Sequence, residues 1–414
     1  MQEENTRVII ATGGTGGHVL PAASLANYLN KIGFSTVLTT DERGLKFVET
    51  EIIKNVKIIN ASPFIKENKI TSTIKIISAI LSSLFSILKI KPKFIFGMGG
   101  YASFPLCIAA YLLRIPFIIY ENNLLIGKAN KFLMPFTKKI FTSYEEVAGI
   151  SKKYKSKQVI IGNIIREKIL HGKLNEKEIS DILNILVLGG SQAAKIFAET
   201  LPKIFIECKK NNLNIKVYQQ CLPDQVSQLK KTYETYGIEC ELFTFTFDIL
   251  KYYRLSHLAI TRAGSSALAE LLNFNLPIIS IPLKTSADNH QFKNAQYFER
   301  KGYGIMLEEN NIEKELFDIL KSMLKSKIII TDKRIKLRKY ERLDFFSLLL
   351  VIKLAVTKTK NGFVNSIGCN LKMKRSNHLF APLISTPTKG TKINNTSDNI
   401  KIGKINFFKK DIFK

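Results

Sequence analysis

The chain is short of the features that would place it outside the cell or around a metal ion. Its five cysteines, Cys107, Cys208, Cys221, Cys240 and Cys369, are scattered, with no C-x-x-C pair and no neighbouring histidine. That argues against a disulfide framework, a structural zinc and an oxidising compartment. Met1 to Arg7 is polar and leads straight into an apolar strand pattern, so no secretory leader is expected and the chain should stay in the cytoplasm. No Asp-x-Asp pair stands near the glycine-rich loops, so neither a metal nor a cofactor is expected. Acidic residues are also scarce: 34 Asp and Glu face 62 Lys and Arg, a net charge of +28. Such an excess usually points to nucleic acid or an anionic membrane. Half of it lies after residue 330, where 19 basic residues face 5 acidic ones. The chain is rich in Ile, Lys and Asn throughout, as AT-biased coding produces. With the charge concentrated in an aperiodic tail and no recognisable nucleic-acid module, nucleic acid is not expected as a partner.

What is present begins at Val8. Val8, Ile9 and Ile10 form a short β-branched run that ends in T-G-G-T-G-G-H, the pattern of a buried parallel strand entering a tight loop before a helix. Gly13, Gly14, Gly16 and Gly17 lack a Cβ, so their N–H groups can approach an anion, and a helix opening near Pro21 would add its positive dipole end. His18 follows at once. An imidazole beside a phosphate loop, where a sugar hydroxyl would lie, is a candidate general base.

From Val8 to about Ile160, strand-like runs alternate with helical patterns: Thr36 to Thr40, Lys57 to Ile59, Phe94 to Phe96, Phe117 to Tyr120, Lys139 to Phe141 and Gln158 to Ile161. This rhythm predicts an α/β, doubly wound parallel sheet, whose ligands gather at the strands' carboxyl ends. Gly97 to Tyr101 and Glu121 to Asn123 follow two of these strands, so one shared cleft is expected. For Glu121, satisfying free N–H groups at a helix start is the simpler role. Between Thr71 and Lys91, Ile74, Ile77, Leu81, Leu84 and Leu88 share one helical face, with Ile76, Ile80 and Ile87 beside it and serines opposite. Two readings stand: a core helix of the sheet, or an interfacial helix flanked by Lys66, Lys69, Lys75, Lys89, Lys91 and Lys93. A bilayer crossing is not expected, because Lys75 and four serines interrupt the run.

The second half restarts the pattern. Asn184 to Leu188 runs into Gly189-Gly190-Ser191-Gln192, a second anion loop, so two similar domains should face each other across a cleft with Gly162 to Arg166 as hinge. Arg166 could reach a diphosphate from there, or be solvated. Leu258 to Thr261 leads into Arg262-Ala263-Gly264-Ser265-Ser266-Ala267-Leu268-Ala269-Glu270, where small residues and hydroxyls at a helix start can cap it or hold phosphate, and Glu270 can accept ribose hydroxyls. Gln291 and Asn294 share a helix face and suit sugar hydroxyls.

With T-G-G-T-G-G-H, G-M-G-G-Y-A-S-F-P, E-N-N, G-N-I-I-R, G-G-S-Q, R-A-G-S-S-A-L-A-E and D-N-H-Q-F-K-N-A in this order, the chain resembles the bacterial MurG family over about residues 5 to 327. The resemblance implies a GT-B fold of two Rossmann-like domains: residues 1–162 on the acceptor and membrane side, and residues 163–330 binding the UDP-sugar. It implies an inverting, metal-independent transfer of N-acetylglucosamine from UDP-N-acetylglucosamine to the 4-hydroxyl of undecaprenyl-linked lipid I, giving lipid II at the cytoplasmic face of the inner membrane. By the same resemblance, Thr15, Gly16 and Gly17 lie at the diphosphate cleft with His18 as base. Asn123, Arg166 and Ser191 contact the donor, Gly264, Ser265, Ser266, Ala267 and Leu268 hold its phosphates, Glu270 its ribose and Gln291 its sugar, with the uracil near Thr246. The family's usual His-Glu-Gln-Asn reads Tyr120-Glu121-Asn122-Asn123 here, so Tyr120 and Asn122 carry no family role over. A glycolipid transferase or UDP-sugar epimerase of the same fold is the alternative. After Ser326 the pattern departs: residues 331–356 are a degraded helical segment, and residues 357–414 a basic tail with no function assigned.

Overall fold

The structure, a computed structural model, describes residues 6–58, 69–170, 172, 182–190, 195–286 and 289–325. Ser191, Gln192 and everything after residue 325, including segments 331–356 and 357–414, lie outside the described residues. Two wholly parallel sheets organise the rest.

The first sheet has seven strands in the order β3-β2-β1-β4-β5-β6-β7. They are β1 (Arg7–Ala11), β2 (Ser35–Thr40), β3 (Val56–Ile58), β4 (Phe94–Gly97), β5 (Phe117–Glu121), β6 (Lys139–Thr142) and β7 (Gln158–Ile160). Side-chain alternation along β1 sorts the core. Val8 and Ile10 join the layer under α1 (Gly16–Lys31), with Val19, Ala22, Leu25 and Leu29. Ile9 and Ala11 face the other way, against Ile87 and Ile90 of α3 (Lys69–Ile90) and Leu106, Ala109 and Ala110 of α4 (Ser103–Leu112). A strand covered on both faces must be apolar throughout, which is why β1, β4 and β5 read as unbroken apolar runs. Each large side chain buried there contributes about 1.5–3 kcal/mol.

The second sheet repeats the plan with six strands, β10-β9-β8-β11-β12-β13. These are β8 (Leu183–Leu188), β9 (Ile215–Gln220), β10 (Glu239–Phe243), β11 (Leu258–Thr261), β12 (Ile278–Ser280) and β13 (Gly304–Met306). Ile185, Val187 and Ile260 pack under α7 (Lys195–Lys210) and α12 (Ile312–Lys325), while Leu186 and Ala259 face α10 (Ser265–Asn273) and α11 (His290–Arg300). In both sheets the strand order reverses beside the first strand, β1 against β4 and β8 against β11. Crevices at the carboxyl ends of such strand pairs take ligands, and the conspicuous loops all fall there.

Three local findings refine the expectations. Helix α1 opens at Gly16, not near Pro21, so Gly16, Gly17 and His18 form its first turn and Pro21 lies inside it. In α3, the face with Ile74, Ile77, Leu81, Phe85 and Leu88 is exposed, Phe85 at 74%, whereas Ala79, Ser83, Ile87 and Ile90 are buried. Thus one serine expected on the outer face is an inner one, its hydroxyl donating to the Ala79 carbonyl at 2.7 Å. Third, the connector between sheets is fastened to the first of them by Tyr120. Its hydroxyl lies 2.8 Å from Ser143 Oγ, donates to the Gly162 carbonyl at 3.3 Å and accepts from Ile164 N–H at 3.1 Å.

The loops after β1 and β4 interlock. Gly100 has φ +80°, and a Cβ on it would sit 2.4 Å from the Gly13 carbonyl oxygen. Gly100→Ala should therefore combine left-handed strain with a backbone clash and cost roughly 2–5 kcal/mol, seen as a lowered urea midpoint with an unchanged slope.

Candidate active site

The first-half loop is built by exact placement of donors and acceptors. Thr15 is exposed and is the N-cap of α1, its carbonyl accepting from His18 N–H at 3.1 Å and Val19 N–H at 3.2 Å. Gly14 N–H is not available to an anion, because it donates to Asp41 Oδ1 at 2.8 Å. Asp41 also caps α2 (Glu42–Leu45) through Gly44 N–H, while its other oxygen takes Arg43 Nε and Nη2 at 2.9 and 2.7 Å. The anion-binding part of the loop is thus narrowed to Thr15, Gly16 and Gly17, where helix N–H groups have no acceptor in the preceding turn. Asp41 escaped the sequence reading; its signal was a carboxylate at a strand end three residues before a glycine.

His18 reaches toward the second glycine loop. A Cβ on Gly99 would lie 2.9 Å from His18 Nδ1, so the missing side chain at Gly99 makes room for the ring. His18 Nδ1 is buried and has no hydrogen-bond partner among the described residues. Burial lowers the imidazole pKa from its ordinary 6.5; Glu121 opposes this, His290 adds to it, and the nearby Met98 backbone opposes it. The ring is therefore neutral at physiological pH, as a base must be. Glu121 itself is no base. Its oxygens accept from Asn123 N–H, Asn123 Nδ2, Gly127 N–H and Asn130 Nδ2 at 2.9–3.1 Å, so it organises the loop before α5 (Lys128–Leu133).

On the second half, Gly264 is the N-cap of α10. Ser265, Ser266 and Ala267 occupy its first turn, where N–H groups lack helical acceptors. Leu268 is fully buried and its N–H already donates to the Gly264 carbonyl at 3.0 Å, so it offers nothing to a phosphate. The serine hydroxyls turn to the other half. Ser265 Oγ donates to the Asn122 carbonyl and lies 3.1 Å from Tyr144 Oη, while Ser266 Oγ donates to the Gly17 carbonyl at 2.8 Å. Any phosphate here meets backbone N–H groups first.

Two expected donor contacts are partners of each other. Arg166 Nε and Nη2 bind Glu270 Oε1 and Oε2 at 2.8 and 2.6 Å, and Tyr253 Oη donates to Glu270 Oε2 at 3.1 Å. Burial alone would discourage the Arg166 charge, but the Glu270 carboxylate outweighs it and keeps the guanidinium ionised. Asn123 and Asn294 pair likewise. Asn294 is fully buried, its Nδ2 donating to Asn123 Oδ1 at 3.2 Å and the Ala263 carbonyl at 3.1 Å, its Oδ1 accepting from Leu124 N–H at 3.2 Å. It joins the halves and is not placed to read a sugar. Gln291 does remain available: its Oε1 accepts from Leu283 N–H at 3.0 Å, which leaves the amide N–H pair to face a ligand. Asn122, given no role by sequence, contacts Gly17 and both serines.

Two doubly wound halves thus meet at their carboxyl ends, with a neutral imidazole on one and the helix-start N–H groups of Ser265 to Ala267 on the other, the plan of a sugar-nucleotide transferase. Residues 8–142 match the glycosyltransferase family 28 N-terminal domain and residues 184–341 its C-terminal domain. The UDP-N-acetylglucosamine–N-acetylmuramyl-(pentapeptide) pyrophosphoryl-undecaprenol N-acetylglucosamine transferase of Pelagibacter ubique is 36% identical over 342 residues, covering 81% of this chain and 95% of its own. That of Rickettsia felis is 35% identical over 337 residues, covering 79% and 93%. The chain belongs to this family, the MurG transferases. In fold it is similar to the crystal structure of Acinetobacter baumannii MurG, with TM-score 0.66, 24% identity, and coverage of 84% of this chain and 99% of that one. A UDP-N-acetylglucosamine 2-epimerase shares the fold at TM-score 0.58 and 12% identity, covering 84% and 95%.

With His18 as base, kcat/KM should fall as the imidazole protonates, with an apparent midpoint below the ordinary 6.5. His18→Ala should lower turnover about 10²–10⁴-fold while leaving UDP affinity by calorimetry unchanged.

Proposed function

We propose that the chain transfers N-acetylglucosamine from UDP-N-acetylglucosamine to the 4-hydroxyl of the muramyl sugar of lipid I, forming lipid II. The observation that carries this reading is His18, a half-buried, neutral imidazole in the first turn of α1, whose neighbour Gly17 is bonded through its carbonyl to Ser266 in the second-half loop that offers the Ser265, Ser266 and Ala267 N–H groups. Residues 1–162 present the acceptor and residues 163–330 hold the donor.

The acceptor oxygen attacks the anomeric carbon opposite to UDP as His18 takes its proton, which inverts the configuration. Charge builds on the leaving diphosphate. The helix starts at Gly16 and Ser265 stabilise it without reorganisation, and Arg166 adds a full positive charge once it leaves Glu270. That exchange frees the Glu270 carboxylate for the ribose hydroxyls, so one ion pair becomes two ligand contacts. Gln291 reads the sugar. Gly264 marks the start of the phosphate loop, and Thr15 lines the acceptor side. A diphosphate stabilised by helix N-termini and Arg166 has no need of a divalent ion.

The membrane side follows from α3. Ile74, Ile77, Leu81, Phe85 and Leu88 are exposed, as are Tyr111 and Leu112 at the end of α4 and Phe132 of α5. Ring contacts join α4 to α5 and to the turn after it: Phe104 with Phe132 at 5.3 Å and Tyr111 with Phe136 at 4.7 Å. Lys75, Lys89, Lys128 and Lys131 lie on the same elements, and Lys91 just after α3. An apolar face of this size with a basic rim suits peripheral contact with an anionic bilayer. The segment Thr71–Ile90 is long and apolar enough to cross one, but its inner side is built into the sheet, so it lies on the surface.

Labelled donor and lipid I should yield lipid II, in the presence of EDTA as well as without it; a strict divalent-ion requirement would overturn the metal-free mechanism. Conversion of the donor alone would point instead to an epimerase. Ile77→Glu with Phe85→Glu should weaken sedimentation with anionic vesicles at least tenfold, at about 1.5–3 kcal/mol per apolar side chain withdrawn, and leave turnover of a water-soluble acceptor unaltered.

A further inference from the structure

A proline inside a helix leaves one carbonyl without its donor, the one four residues earlier. In α1 the proline is Pro21 and the carbonyl is that of Gly17, the residue before His18. That carbonyl is taken from outside the helix. It accepts from Ser266 Oγ at 2.8 Å and from Asn122 Nδ2 at 2.9 Å, and Asn122 Nδ2 in turn lies 3.2 Å from Ser266 Oγ. Asn122 belongs to the loop after β5 and Ser266 to the first turn of α10 in the other half. Both groups would face a loss of about 1–3 kcal/mol if left buried and unpaired.

The Gly17 carbonyl and the His18 N–H belong to one planar peptide unit. The N–H end is held by the Thr15 carbonyl at 3.1 Å, the carbonyl end by Asn122 and Ser266. Fixing both ends of that plane fixes the direction in which His18 leaves the helix. We propose that Asn122 and Ser266 are positioning residues for His18, acting through the carbonyl that Pro21 leaves open, so that the imidazole is aimed only while the donor-side loop is docked on α1. The inference rests on His18 being the base of the transfer reaction. It gives Pro21 a purpose beyond ending a strand-loop turn: any other residue at 21 would bring an N–H into competition with Ser266 for the same oxygen. It also couples donor site to base through three atoms rather than through a large movement.

Pro21→Ala is the cleanest test, because Pro21 lies inside α1 and its replacement removes no donor group from either loop. In Pro21→Ala and in Ser266→Ala, kcat should fall about three- to tenfold, the worth of one hydrogen bond, with the UDP dissociation constant of Pro21→Ala within twofold of the parent. Ser266→Thr should restore the rate lost in Ser266→Ala. The double variant should be no slower than the slower single one, since both changes remove the same contact. A second readout needs no turnover: the His18 imidazole titration followed by NMR on the full, ligand-free chain. The groups facing that ring are Glu121, fixed by four hydrogen bonds, His290 of α11 and the Met98 backbone. With those unchanged, release of the peptide plane should let water in and move the titration up toward 6.5 in Pro21→Ala. If the parent protein turns over and Pro21→Ala matches it in rate and titration, or if the double variant is additive, the positioning role is wrong. If the titration moves as stated but the parent makes no lipid II, the positioning role stands and the assigned reaction fails.

Discussion

A polar group that loses its water on burial has to find another partner, and along the cleft of this protein those partners come from the opposite half. Asn294 is fully buried and meets Asn123 and Leu124 of the first half; Ser265 meets Asn122 and Tyr144; Ser266 meets Gly17. Apolar packing brings surfaces together without specifying register, whereas each of these bonds has a direction and an unmade one costs about 1–3 kcal/mol. The relative placement of the two sheets is therefore defined by a few side chains at the strand ends. These are the same strand ends at which a doubly wound sheet binds its ligand. In the proposed reaction, closure and substrate recognition draw on one set of groups.

The charges obey a related logic. Two carboxylates sit close to the two candidate anion-binding turns, which would be unfavourable for a diphosphate if they were bare. Neither is bare. Asp41 carries Arg43 and the Gly14 and Gly44 N–H groups, and Glu270 carries Arg166 and Tyr253. The two pairs differ in environment. The Arg43 side chain is half exposed, so its attraction to Asp41 is screened by water, while Arg166 and Glu270 are both largely buried and their attraction is stronger. In the proposed mechanism, the cost of parting the second pair would be offset by the charge and hydrogen bonds of the incoming diphosphate and ribose.

Much of this architecture was legible in the residues. Strands covered on both faces announce themselves as apolar runs, so β1, β4, β5, β8 and β11 were visible, as was the repeat of a glycine turn at the start of each half. β9, β10 and β13 were not marked: β9 and β10 interleave Lys, Gln and Glu with their apolar residues and β13 is three residues long, so no run stands out. The positions of the site residues along the chain were readable, but their partners were not. That Asn123 faces Asn294, that Arg166 lies against Glu270, and that Asn122 matters at all are facts of the fit between halves, which no local pattern encodes. The tilt of α3 was half legible: its two apolar faces were seen, yet which one the sheet covers depends on α4, and the covered face proved to contain Ala79 and Ser83, small enough for close approach.

The connector between the halves has two fixed points one residue apart from each other. Gly162 and Ile164 are tied to Tyr120 on the first sheet, and Arg166 is clamped to Glu270 on the second. Only Ile165 lies between. A swivel at this joint works against the Arg166–Glu270 pair and against the exposed Lys31–Glu167 pair that ties the next residue back to the first half; under the proposed mechanism the nucleotide would release the first of these. On the proposed transfer of Arg166 to the diphosphate, loading the donor would lengthen the stretch of backbone able to turn, leaving the empty molecule the stiffer one at its joint and the charged molecule the freer.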